Sequence, residues 1–195
     1  MESFQNQVLH PVILAVPAMA GDLKPKDRVT FLSRHARQAL AISAEKSRIT
    51  LGELVQDERN APLPFNGTFW SITHKTEYVG GVVAPAPIGI DIEKIFTRAD
   101  ALYRKTASDD EWALADRSVT TFFRYWTSKE AVIKAAGTGL KDLLKCRVIH
   151  VYDGNHLDIE YESQKWRIAH TYFEDHIASI VQNDFNINWT ILPNH

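Results

Sequence analysis

The sequence predicts an α+β fold built as two successive halves. Three observations carry this reading. A long helical repeat occurs in each half of the 195-residue chain, short apolar or alternating runs surround each repeat, and Ala84-Pro85-Ala86-Pro87 separates the two sets. The expected halves are residues 1–87 and 88–195.

The first half opens with a buried strand over residues 12–16, an apolar run bounded by Pro11 and Pro17. Ala18-Met19-Ala20 has the look of a signal-peptidase site. A secretory leader needs a basic start, however, and residues 1–11 contain no Lys or Arg. Residues 25–44 predict a helix, with Val29, Leu32, Ala36, Ala39 and Leu40 at helical spacing and Arg28, Arg34 and Arg37 between them. Residues 49–55 predict a strand, 58–67 a loop holding Pro62 and Pro64, and 69–72 and 78–83 two further strands.

The second half begins with a strand over residues 88–93 and a helix over 108–115. A longer helix over 118–136 stops at Gly137 and Gly139. Strands over 147–152 and 156–161 flank Asp153-Gly154-Asn155, a hairpin signal, and 166–172 and 176–181 complete the β-rich remainder. No sequence repeat relates the halves.

Composition excludes some functions. Hydrophobic residues at 45% against charged residues at 24% suit a folded domain with a real core. A formal net charge of −2 argues against a general nucleic-acid binder, yet leaves room for a local basic pocket. The single Cys146 can form neither an internal disulfide nor a cysteine-based metal site, which favours a reducing compartment. No run approaches the ~20 apolar residues of a membrane span. The expectation is a soluble, cytoplasmic protein.

Three segments could carry chemistry. In a strand through Gly89-Ile90-Asp91-Ile92-Glu93, Ile88, Ile90 and Ile92 point to the core, while Asp91 and Glu93 share the opposite face. Two carboxylates so close repel each other unless water or a hard cation such as Mg²⁺ intervenes. A bare D-x-E equally suits an amphipathic strand with one solvated face.

In Trp126-Thr127-Ser128-Lys129-Glu130-Ala131-Val132-Ile133-Lys134, Glu130 and Lys134 stand one helical turn apart. Phe122, Tyr125, Trp126, Val132, Ile133 and Ala136 form the apolar stripe, with Glu130 and Lys134 on its margin. Those two could be a surface ion pair or groups lining a cleft. Lys129 falls within the stripe, so it needs a carboxylate or a bound phosphate as partner, or must snorkel past its neighbours. In the third segment, Phe69-Trp70-Ser71-Ile72-Thr73-His74, a strand ends on a histidine. Taken alone, His74 reads equally as an exposed strand end, and Arg34 and Arg59 as surface arginines.

Together and in this order, the segments resemble the phosphopantetheinyl transferase superfamily, in particular its longer, single-chain, surfactin-synthetase-activating type. That family shows G-[IV]-D-[IVL]-E, then W-[ST]-x-K-E-[SA]-x-x-K, then G-x-G-L. The chain has Gly89 to Glu93, Trp126 to Lys134, and Gly137-Thr138-Gly139-Leu140. Residues 69–74 are similar to the family's F-S-I-S-H segment, and Phe31-Leu32-Ser33-Arg34 to its arginine-bearing helix. The resemblance covers residues 28–140. There are departures: Thr73 stands where the family has Ser, Lys75 where it has Ser or Thr, and a basic-Pro pair is reduced to Arg59-Asn60-Ala61-Pro62.

The resemblance implies a pseudo-twofold pair of α+β halves with the active site in the cleft between them. It implies that Asp91, Glu93 and Glu130 bind Mg²⁺, which meets the pyrophosphate of coenzyme A. It implies that the 4′-phosphopantetheine arm passes to a serine of an apo acyl or peptidyl carrier protein, releasing 3′,5′-ADP. Glu130 would orient or deprotonate that serine, and Lys134 would meet charge on the leaving phosphate. His74 and Arg34 would hold the phosphates of the adenosine half, with Lys129 and Arg59 as further coenzyme A contacts. The expected partners are coenzyme A and the carrier, without nucleic acid or membrane, and the chain is expected to act as a monomer. A non-catalytic module binding coenzyme A or a carrier, and a metal-dependent hydrolase releasing free phosphopantetheine, are the alternatives.

Overall fold

The chain is α+β in a computed structural model that describes residues 7–193. In order, its first elements are β1 (Val8–Leu9), β2 (Val12–Ala15), α1 (Pro25–Lys46), β3 (Phe69–His74) and β4 (Tyr78–Ala84). Next come β5 (Ile90–Lys94), α2 (Asp100–Thr106), α3 (Asp109–Trp112) and α4 (Val119–Ala136). The chain continues through β6 (Arg147–Val151), β7 (His156–Tyr161), β8 (Gln164–Phe173), β9 (His176–Val181), β10 (Asn186–Ile187) and β11 (Thr190–Leu192).

Local chemistry sets the ends of the long helices. Pro25 opens α1, where its missing N–H costs nothing and its fixed φ suits the first turn. Ser118 caps α4 by accepting from the Thr121 amide. At the other end Gly137 adopts φ 70°, a left-handed conformation that glycine takes without strain, and its amide turns back to the carbonyls of Ile133 and Lys134.

Two sheets result. The first has the order β11-β2-β4-β3 and carries α1. The second, β5-β9-β8-β7-β6, is antiparallel throughout and carries α4 against β5 and β9. Burial follows the same division. Val12, Leu14, Leu32, Ala36, Ala39 and Val79 close the space between α1 and its sheet. The largest core lies beneath α4 and reaches across to Leu9, Val82 and Ala84 of the first half. Ile13, Ala15 and Tyr78 meet Ile92 and Ala178, so β2 and β4 pack directly on β5 and β9.

Strands from late in the chain pair with strands from its beginning. Strand β11 pairs in parallel with β2, Thr190 to Val12 and Leu192 to Leu14, so the first sheet takes its edge strand from beyond the second. Strand β10 pairs in parallel with β1. Strands this short carry no periodicity, and the sequence does not predict them.

Two expected elements differ. Residues 49–55 form no strand: a single bridge joins Gln56 to Pro62, while Ile49, Leu51 and Leu54 pack on Leu40, Ala44 and Trp70. Pro62 and Pro64 remove amide donors from the facing segment, so no ladder can extend. The helix expected over 108–115 is the short α3, preceded by α2, which the sequence does not predict. Ser108 is the N-cap of α3 in a capping box with Glu111.

Candidate active site

Strand β5 is covered on both faces. Ile90 and Ile92 are fully buried as expected, but Asp91 is fully buried too, because α4 and the β3–β4 hairpin close over the face that alternation assigns to solvent. Gly89 makes the approach of α4 possible. A Cβ there would lie 1.8 Å from the carbonyl oxygen of Ala131, so no other residue fits beneath the helix without moving it. Glu130 and Lys134 are thereby brought onto Asp91 and Glu93.

Carboxylate oxygens of Asp91, Glu93 and Glu130 lie within 4.8 Å of one another. Two ammonium groups face them. Lys134 Nζ donates to Asp91 Oδ1 at 2.7 Å and to the Ile90 carbonyl at 2.9 Å. Lys75 Nζ donates to Glu93 Oε1 at 2.7 Å. Thr73 adds a hydroxyl to Asp91 Oδ1 at 2.9 Å. Burial, reinforced by the charge of Asp91, pushes the Glu130 carboxyl up to about 7, against the pull of Lys134 and Lys75. Asp91 Oδ2 is buried with no hydrogen-bond partner. An orphaned carboxylate oxygen beside two further oxygen donors suits a hard divalent cation, which would relieve both the orphan and the repulsion.

Two pockets adjoin the cluster, one lined by Lys75 and Glu93 and the other by Lys134. One of about 450 Å³ is lined by His74, Lys75, Glu93, Phe96 and Arg98 among others. His74 stands exposed at the end of β3, and partial desolvation, then the ammoniums of Lys134 and Lys75, hold its pKa below the usual value. The shift favours the neutral imidazole. The other pocket, about 150 Å³, lies between Arg59, Asn60 and Pro62 and the turn after α4, with Lys134 in its wall. Tyr161 secures that turn by donating to Thr138 and Asp142.

Two expected residues lie elsewhere. Lys129 is fully buried on the opposite side of α4, 2.6 Å from Glu111 Oε1 and 2.7 Å from the Thr106 carbonyl. Its ammonium does not reach the cleft, and the buried carboxylate is its partner. Burial opposes the charge of Glu111, but Lys129 outweighs it, with help from the amides of Ser108 and Val148, and holds that carboxyl below its usual range. Arg34 is exposed on α1, in a depression with Phe31, His35 and Gln38 that shares no lining residue with the other two pockets. Sequence reasoning passed over Lys75 as a partner of Glu93, and Gly89 as a contact point. The only sequence signal for Lys75 was its position immediately after His74.

A second acidic group, Glu77, Asp175 and buried His176, flanks the same hairpin turn, and Lys94 bridges its carboxylates at 2.7 and 3.1 Å. Among the described residues, no helix is long and apolar enough to cross a membrane.

Residues 87–187, from just after β4 through β10, match the model of the 4′-phosphopantetheinyl transferase superfamily. The chain belongs to that superfamily. The superfamily segment contains Asp91, Glu93, Glu130 and Lys134, and leaves Arg34, Arg59, His74 and Lys75 outside it. Among curated superfamily relatives, the chain is 37% identical over 76 residues to the 4′-phosphopantetheinyl transferase psf-1 of Bacillus pumilus, covering 36% of this chain and 33% of that one. It is 30% identical over 96 residues to a 4′-phosphopantetheinyl transferase of Bacillus subtilis, covering 47% and 43%. A third match, 32% identical over 76 residues, is to the 4′-phosphopantetheinyl transferase gsp of Aneurinibacillus migulanus, covering 36% and 32%. The chain thus spans a third to under half of the length of these relatives.

Proposed function

We propose that the chain, as a soluble cytoplasmic monomer, transfers the 4′-phosphopantetheine arm of coenzyme A to a serine of an acyl or peptidyl carrier protein. The observation that carries this reading is the cluster of Asp91, Glu93 and Glu130, with two lysines facing it and two pockets adjoining it. Asp91, Glu93 and Glu130 would hold Mg²⁺. When bound, the ion would neutralise phosphate charge and draw the pyrophosphate against the carboxylates.

The chain's own residues do the rest. Glu130, clustered with Asp91 and Glu93 and one helical turn from Lys134, is assigned to orient the incoming serine or accept its proton, directly or through water. The serine oxygen bonds to the pantetheine-side phosphorus, the bond from that phosphorus to the bridging oxygen breaks, and 3′,5′-ADP leaves with the electron pair. Lys134, beside Asp91, is placed to meet the charge that grows on the leaving phosphate. His74 and Arg34 are assigned the phosphates of the adenosine half, with Arg59 as a further coenzyme A contact. Lys129 supports α4 from behind.

The test is incubation with coenzyme A, Mg²⁺ and a panel of apo-carrier proteins, read by intact-protein mass. Mass gain by one phosphopantetheine on at least one carrier is expected. Coenzyme A binding without modification of any carrier would replace the transferase by a binding module, and free phosphopantetheine would replace it by a hydrolase.

A further inference from the structure

The turn between β3 and β4 is fastened to β5 by two ion pairs of opposite sense. Lys75 reaches Glu93 at 2.7 Å, and Glu77 accepts from Lys94 at 2.7 Å. They are not equivalent. Lys94 also reaches Asp175 at 3.1 Å, so it ties the turn to both β5 and the β8–β9 turn. Lys75 lies within the three-carboxylate cluster. Its side chain keeps 30% exposure and lines the pocket of about 450 Å³ beside His74 and Arg98. The ammonium can therefore leave Glu93 for that pocket while Lys94 keeps the turn docked.

The charges give a reason for it to leave. Lys75 is paired with Glu93 and Lys134 with Asp91, so two of the three clustered carboxylates already hold an ammonium. An arriving divalent cation would compete with both ammoniums for those carboxylates unless one withdrew. Lys134 is held by both Asp91 and the Ile90 carbonyl, whereas Lys75 makes one contact in the cluster.

We propose that Lys75 is a built-in counter-ion. It occupies Glu93 until a divalent cation arrives, then swings into the adjoining pocket to pair with the phosphate of the bound ligand. Cation and phosphate ligand would then bind cooperatively, because each favours the same displaced position of Lys75. This inference rests on the proposed cation site and adds to it the residue that governs its filling. Family resemblance assigns a hydroxyl residue to this position, so the device belongs to this chain's own sequence.

The experiment is titration with Mn²⁺, the free ion being counted by electron paramagnetic resonance, with and without coenzyme A. Wild-type protein is compared with Lys75→Gln, Lys75→Thr and Lys75→Arg, each checked by thermal melting. Removing one competing unit charge a few ångströms from the ion should tighten Mn²⁺ binding about tenfold in Lys75→Gln and Lys75→Thr without coenzyme A. Coenzyme A should tighten Mn²⁺ binding about tenfold in wild type and less than about threefold in the neutral variants. Lys75→Arg should return to the wild-type pattern. If either folded neutral variant matches wild type in both measurements, the counter-ion role is overturned and the cation site stands. If wild type binds no Mn²⁺ under either condition, the cation site and the counter-ion role fall together.

Discussion

A Cβ on Gly89 would stand 1.8 Å from the carbonyl oxygen of Ala131, so strand β5 and helix α4 are in contact at a point where only hydrogen fits. One turn of helix holds Glu130 beside that contact and another places Lys134, while two residues along the strand comes Asp91. The glycine of the G-I-D-I-E segment is therefore a spacing element for the carboxylates that follow it.

Gly89→Ala should force α4 away from β5. Overpacking of this kind costs about 1–3 kcal/mol, and a clash with a backbone atom belongs at the upper end. Urea denaturation should show that loss. The variant should also lose divalent-ion binding at temperatures where it remains folded, because Glu130 moves away from Asp91.

Glu130 makes stability depend on pH in a defined direction. Its carboxyl is raised from the ordinary 4.5 to about 7 in the folded chain. Between those values the folded state holds more proton than the unfolded, so the contribution of this group falls as pH rises through the window. Relative to Glu130→Gln, wild type should lose stability from pH 4.5 to 7, as read by paired denaturation curves. Saturating Mg²⁺ at pH 8 should raise the melting temperature of wild type and leave Glu130→Gln nearly unchanged.

Lys134→Ala separates a catalyst from a binder. An interaction stronger in the transition state than in the ground state lowers turnover when lost. Turnover should fall by ~10²-fold or more, a typical cost for one preorganised electrostatic group. The dissociation constant for coenzyme A, measured by calorimetry with Mg²⁺, should change far less. A collapse in affinity with normal turnover at saturation would make Lys134 a ground-state anchor.

Lys129→Ala should behave as a stability variant. It leaves Glu111 buried without its partner, and breaking a buried pair by removing one member costs about 3–5 kcal/mol. Coenzyme A affinity of the folded fraction should stay near wild type. A large loss of affinity with unchanged stability would instead return Lys129 to the phosphate contacts.

Much of this arrangement was legible in local sequence. Alternation set Asp91 and Glu93 on one face of a strand, helical spacing put Glu130 and Lys134 on the margin of an apolar stripe, and Ser118 and Gly137 marked the helix ends. Position 129 signalled a buried ammonium that needed a partner. What sequence did not carry were the partners supplied by tertiary packing. Glu111 reaches Lys129 only because α3 folds back beneath α4, and Lys75 reaches Glu93 only because the β3–β4 hairpin crosses onto β5. The burial of Asp91 has the same origin: periodicity reports two faces of a strand but not that both are covered.

The parallel pairing of β11 with β2 has a consequence for how the chain is made. Strands β2, β3 and β4 leave the ribosome long before Thr190, and at about 5–20 residues per second the interval lasts roughly five to twenty seconds. Throughout it, Val12-Ile13-Leu14-Ala15 presents an apolar edge with unpaired amides and carbonyls, open to any strand of another nascent chain. Closing that edge falls to residues translated after every carboxylate of the site. A chain cut short just before Thr190 would keep Asp91, Glu93, Glu130 and Lys134 in place, yet its permanent open edge would make clumping, not lost chemistry, its first defect.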